Sequence, residues 1–152
     1  MNPQVLSPQI IGSLGVGLVF GLSALGSAIG LSIVGTAAVG AWKRCYKANK
    51  PAPMTIMALC GMPMSQTFYG FILLLQMRAV TITEANAGML LGYGIASGIA
   101  MCLSAIAQAK ISAAAADAVG ETGKGFANYI AVLGIAETIA LFTMVFTMIS
   151  LG

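Results

Sequence analysis

The octapeptide MPMSQTFY, residues 62–69, places a proline, a serine, a glutamine and a tyrosine inside an uncharged run that extends from 51 to 77. A second apolar run, 125–152, contains a single charged residue, Glu137. A carboxylate at the centre of a membrane helix costs about 2.5–3.5 kcal/mol on insertion scales, so Glu137 reads as functional and needs a partner. Lys110 is a poor one: it lies two residues beyond Gln108, which turns its side chain about 200° around the helix, toward the interface. The groups expected at the depth of Glu137 are neutral oxygens. Positions 62, 65, 66 and 69 follow the spacing of one helix face, so Ser65 and Gln66 can present a hydroxyl and an amide oxygen. Pro63 lacks the N–H that closes a helical turn and frees backbone carbonyls nearby. Joined by Gln108 and Glu137, these groups make a cage of oxygens with one negative charge, which suits a hard monovalent cation such as sodium better than calcium or magnesium.

Each of these residues also has a plainer reading. Serine and glutamine in membrane helices commonly bond neighbouring helices, and tyrosine serves as a packing residue or interfacial anchor; for Tyr69 the functional alternative is a hydroxyl bonded to Glu137. Depth favours the functional set. Gln108 and Glu137 are equidistant from a point inside VGETGKG, and Ser27 and Gln66 from a point inside WKRCYKANK, so all four share a level in two antiparallel hairpins. At 1.5 Å per residue, Gln108 and Glu137 lie roughly 20 Å from their turn, well inside a bilayer.

The elements that must position these residues follow from composition. The 152-residue chain is 59% hydrophobic and 7% charged, lacks histidine, and has a mean hydropathy of +0.95, too apolar for a soluble domain of this length. Four stretches are long enough to span a membrane. We expect an all-α membrane protein with helices at about 11–42, 52–77, 82–117 and 125–151, arranged as hairpins 1–78 and 79–152 of a single integral membrane domain. SQTFYGFILLLQM can be laid on AETIALFTMVFTM, placing Gln66 opposite Glu137, so the chain reads as a duplicated hairpin. Residues 1–10 carry no lysine or arginine and lead into a run longer than a signal-peptide core, so the first helix is expected to be retained.

Small residues at four-residue spacing, Gly17 with Gly21 and Gly26 with Gly30, then Gly94 with Gly98, predict close packing of the first and third helices. The bulkier second and fourth helices would then lie outside. Thr81 and Glu84 stand at capping-box spacing before the third helix, and PAP at 51–53 suits the first turn of the second. Lys43, Arg44, Lys47 and Lys50 in the first connection and Lys124 in the third, against Arg78 alone in the second, put loops 43–53 and 118–125 on the cytoplasmic side and both termini outside.

Other chemistry is excluded. GETGK lacks the spacing and the following serine or threonine of a phosphate-binding loop, and GVGLVFG misses the dinucleotide spacing. The three cysteines are scattered and odd in number, which supports neither a disulfide framework nor a metal site. There is no histidine, nucleophile–base pair or second buried carboxylate for catalysis, and a net charge of +3 spread this way gives no nucleic-acid surface.

The whole chain resembles the proteolipid (K, or c-type) subunit of V-type ATPases, particularly the bacterial sodium-pumping kind. That family has Leu-Pro-Gly-Thr-Gln-x-x-Tyr in helix two, Ala-Gln-Gly-Lys in helix three and Val-Glu-Thr in helix four, where this chain has MPMSQTFY, AQAK and AET. The resemblance implies a Na+ site from the Met62 backbone carbonyl, the Ser65 hydroxyl, the Gln66 and Gln108 amide oxygens and the Glu137 carboxylate, with Tyr69 locking Glu137 and Pro63 in support. Met64 replaces a glycine, and the first loop is longer than the sodium-type pattern. Further implied are a non-catalytic subunit, a homo-oligomeric rotor ring in a bacterial cytoplasmic membrane, a stator a/I-type membrane subunit and central stalk subunits as partners, and no nucleic acid. The nearest alternative is the same rotor carrying H+, since a desolvated glutamate can hold a proton. A small four-helix proton-coupled drug exporter fits less well, because Trp42 is the only tryptophan and sits at the membrane edge, leaving few aromatic walls for an organic cation. A purely structural membrane protein is the remaining reading.

Overall fold

The structure of the protein, a computed structural model, describes residues 7–152; part of the stretch 1–10 lies outside the described residues. Four apolar spans cross the molecule. The first is α1 (Pro8–Lys47). The second is broken into α2 (Thr55–Gly61), a 3-10 turn (Met62–Met64) and α3 (Ser65–Ala79). The third and fourth are α4 (Ala87–Thr122) and α5 (Phe126–Ser150). No strand occurs among the described residues.

The helices run further than hydropathy alone predicts. At 1.5 Å per residue α1 is about 60 Å long, twice the hydrocarbon thickness. Its 40 residues take in Lys43, Arg44 and Lys47, so these cations ride the last turns of a helix, where they also suit the C-terminal dipole. The connection after α1 shrinks to 48–54. There Trp42 Nε1 donates to the Pro53 carbonyl at 3.0 Å and closes the loop onto the helix. The prolines of PAP precede the first turn of α2 and do not enter it. α4 likewise continues to Thr122, leaving 123–125 as the link to α5, where Gly123 (φ 65°) and Gly125 (φ 82°) take left-handed conformations that a side chain would strain. Arg44 pairs with Asp117 across the ends of α1 and α4, with both side chains about half exposed.

The start of α4 corrects the expected cap. Thr81 and Glu84 form no box; the reciprocal bonds lie two residues on, from Thr83 N–H to Asn86 Oδ1 (2.8 Å) and from Asn86 N–H to Thr83 Oγ1 (3.3 Å). Asn86 takes the part expected of the glutamate, and its amide also donates to the Thr81 carbonyl at 2.9 Å, so the turn winds around Asn86.

α1 and α4 pack most closely, as small residues predict, but not through all the pairs expected. Gly17 and Gly21 face open space. The contact runs instead along Gly15, Gly26 and Gly30 of α1 against Gly94, Cys102 and Ala109 of α4; a β-carbon on Gly94 would collide with the Gly15 carbonyl, and one on Gly26 with the Cys102 backbone. Gly98, also expected, does pack, against Leu18 and Leu22. Two apolar clusters result. Leu59, Ala116 and Leu133 belong to one, toward the basic end, with Met62 packed on it. Val19, Leu73, Met101 and Ala140 belong to the other, with Tyr69 packed on it.

Candidate functional site

The break in the second span begins with Pro63, which cannot return an N–H to the Leu59 carbonyl four residues back. The chain tightens to a 3-10 turn, and the turn fits because Gly30 leaves room: a β-carbon there would lie 2.9 Å from Pro63 Cβ and 3.1 Å from Ala109 Cβ. The result is a cluster of oxygens at the start of α3. Ser65 Oγ is 3.1 Å from the Met62 carbonyl, to which it donates, and 3.3 Å from Gln66 Oε1. Ser65 Oγ thus adjoins both the Met62 carbonyl and the Gln66 amide oxygen, and oxygens of this kind are the ligands a hard cation takes.

Gln66 and Gln108 are both fully buried. Gln66 Nε2 donates to Gln108 Oε1 at 2.9 Å, binding α3 to α4. Gln108 Nε2 donates in turn to the Leu133 carbonyl at 3.2 Å and faces Glu137 Oε2 at 3.4 Å. The second carboxylate oxygen, Oε1, accepts from the Tyr69 hydroxyl at 2.5 Å. A continuous polar chain therefore runs Ser65, Gln66, Gln108, Glu137 and Tyr69, drawn from three spans, between the two apolar clusters. Among the described residues the one ion pair is Arg44–Asp117; Lys110 is exposed and makes none with Glu137.

The structure thus links Met62, Ser65, Gln66, Gln108, Glu137 and Tyr69 through hydrogen bonds, whereas Ser27, expected at the same depth, has no hydrogen-bond partner among the described residues. Gln66 turns its oxygen toward Ser65, whereas Gln108 turns its oxygen toward Gln66 and its N–H groups toward Glu137 and Leu133. Two participants escaped the sequence reading: the Leu133 carbonyl, one turn before Glu137, and Ser104, one turn before Gln108, whose hydroxyl donates to the Ala136 carbonyl at 3.4 Å. Four-residue spacing from Gln108 and Glu137 was the available signal for both. No group of three histidine, cysteine or acidic side chains lies together among the described residues, and the three cysteines are free.

Residues 91–150, covering nearly all of α4 and α5, match the C-subunit family of ATP synthase. Over 148 residues, 97% of this chain, the sequence is 30% identical to the A-type ATP synthase subunit K of Methanocaldococcus jannaschii. The chain spans 64% of that relative's length. The matched segment holds Glu137 and Gln108; Gln66 occupies the position of Glu137 in the other hairpin.

Proposed function

We propose that the chain belongs to the C-subunit family of ATP synthase, whose model its second hairpin matches over residues 91–150. On that premise it is the proteolipid of a V- or A-type rotary ATPase, a non-catalytic rotor subunit that assembles as a ring of identical copies. The ring is turned through a stalk at the C-terminal ends of α1 and α4, on the cytoplasmic side, and exchanges ions with a membrane stator. Glu137 carries the ion.

We further propose Na+ as that ion. The convergence of the Met62 carbonyl, Ser65 Oγ and Gln66 Oε1 beside the held carboxylate is the observation that supports it. A proton needs one acceptor, and these oxygens would have no task. One carboxylate balances one monovalent charge, so a loaded site is neutral and can face lipid, while an empty Glu137 meets a steep desolvation barrier. Loading Na+ on Gln108 requires its amide to turn over, releasing Gln66 Nε2 and presenting Oε1 to the ion. The second reading is H+ on the same rotor, since a desolvated glutamate can itself hold a proton.

Modification of Glu137 by a hydrophobic carbodiimide in the purified oligomer separates the two. Protection by Na+ and not by K+ is expected. Labelling that ignores Na+ at all alkaline pH values leaves the proton carrier.

A further inference from the structure

The chain's hydroxyls follow a habit. Ser32, Thr36, Thr122, Thr138, Thr143 and Ser150 each donate to a carbonyl three or four residues back in their own helix, at 2.7–2.8 Å. Two buried serines do not: Ser27 Oγ and Ser112 Oγ have no protein partner among the described residues. A buried hydroxyl left unpaired costs about 1–3 kcal/mol, and buried polar groups of this kind are ordinarily met by ordered water.

Ser112 is completely buried. It lies one turn beyond Gln108 on the same face of α4, and helical side chains lean toward the N-terminal turn, here the turn of Gln108. Across the interface lies the helical break. Ala109, one turn before Ser112, adjoins Pro63 beside Gly30, and Leu59, whose carbonyl Pro63 deprives of a donor, belongs to the same cluster as Ala115 and Ala116. By helical spacing Ser112 thus lies on the strip of α4 between Gln108 and Ala109, one turn from the oxygen cage toward the basic end of the molecule, with a buried hydroxyl that no protein group among the described residues meets.

We propose that Ser112 is a further residue of the ion site, holding one buried water that serves as a ligand of the cation. The water accepts the Ser112 O–H, donates to carbonyls freed at the break, and turns its remaining lone pair to the ion. The cage then binds Na+ with five protein oxygens and one water, closed toward the basic end. This role rests on the Na+ reading of the site.

The test uses the assembled oligomer and the Na+ concentration that half-protects Glu137 from carbodiimide. Ser112→Ala removes the hydroxyl with almost no change in volume, and is expected to raise that concentration about five- to tenfold, the loss of one hydrogen bond, while Glu137 labelling without Na+ stays the same. Ser27→Ala deletes an equally unpaired buried hydroxyl, one that lines a separate cleft of about 200 Å³ with Met64, Thr67 and Phe68; it is expected to leave the midpoint unchanged. Should Ser112→Ala fail to assemble, a map of the wild-type oligomer that resolves waters decides: density bridging Ser112 Oγ and the ion supports the assignment, and its absence overturns it. Unchanged protection in Ser112→Ala overturns the role of Ser112 alone. Wild-type labelling that ignores Na+ overturns this proposal together with the Na+ reading.

Discussion

Tyr69 donates its hydroxyl to Glu137 Oε1 at 2.5 Å across the interface of α3 and α5. It is the shorter of two hydrogen bonds to the carboxylate, the other coming from the Gln108 amide to Oε2 at 3.4 Å. Hydrogen bonds to charged groups are worth about 1.5–3 kcal/mol. Tyr69→Phe should therefore weaken Na+ retention by about tenfold or more, with the oligomer still formed. An unaltered protection midpoint would reduce Tyr69 to packing.

Glu137→Gln keeps the shape of the side chain and an oxygen for Tyr69 while deleting the charge. The oligomer should assemble, bind no radioactive Na+ and support no ion-coupled ATP hydrolysis. Sodium uptake by this variant equal to wild type would move the ion elsewhere in the chain.

At Pro63 stability and function should part. Pro63→Ala restores an N–H to the Leu59 carbonyl and removes a residue that costs about 3 kcal/mol in a helix interior. The second span should become continuous and its thermal unfolding no easier. Straightening the 3-10 turn would, however, shift the Met62 carbonyl from the Ser65 N–H it now accepts to the N–H of Gln66 and away from the Ser65 hydroxyl, and the Na+ midpoint should rise. Wild-type Na+ binding in a stable Pro63→Ala oligomer would separate the break from the site.

Close packing gives a contrast between two glycines. Gly94→Ala drives a β-carbon into the Gly15 backbone, which cannot swing aside as a side chain can, whereas Gly17→Ala meets nothing. Overpacking of this kind costs about 1–3 kcal/mol or more. In detergent melts of the single chain, Gly94→Ala should unfold at markedly lower temperature and Gly17→Ala should match wild type. Equal melting of the two would contradict the close α1–α4 contact.

Much of the molecule was legible before folding, and the reason is that a bilayer reads local quantities. Run length and charge placed four spans, and symmetric counting from the turns put Gln66, Gln108 and Glu137 at one depth. Antiparallel helices of equal rise leave no other level for them. Pro63 announced the helical break because the missing N–H is a property of the residue itself. Helix ends were harder: α1 and α4 continue past the apolar runs because each holds the other, through Arg44–Asp117 and through Gly120, where a β-carbon would lie 2.8 Å from Ala41 Cβ.

What tertiary structure alone decided is rotation about each helix axis. Small and apolar residues surround α1 on every side, so spacing could not tell Gly15 from Gly17, and only packing against α4 chose the face. The same choice set which end of the Gln108 amide meets Glu137 and left Ser112 buried without a partner. Depth is a sum over residues along one chain, but facing is a relation between helices, and no single stretch of sequence contains it.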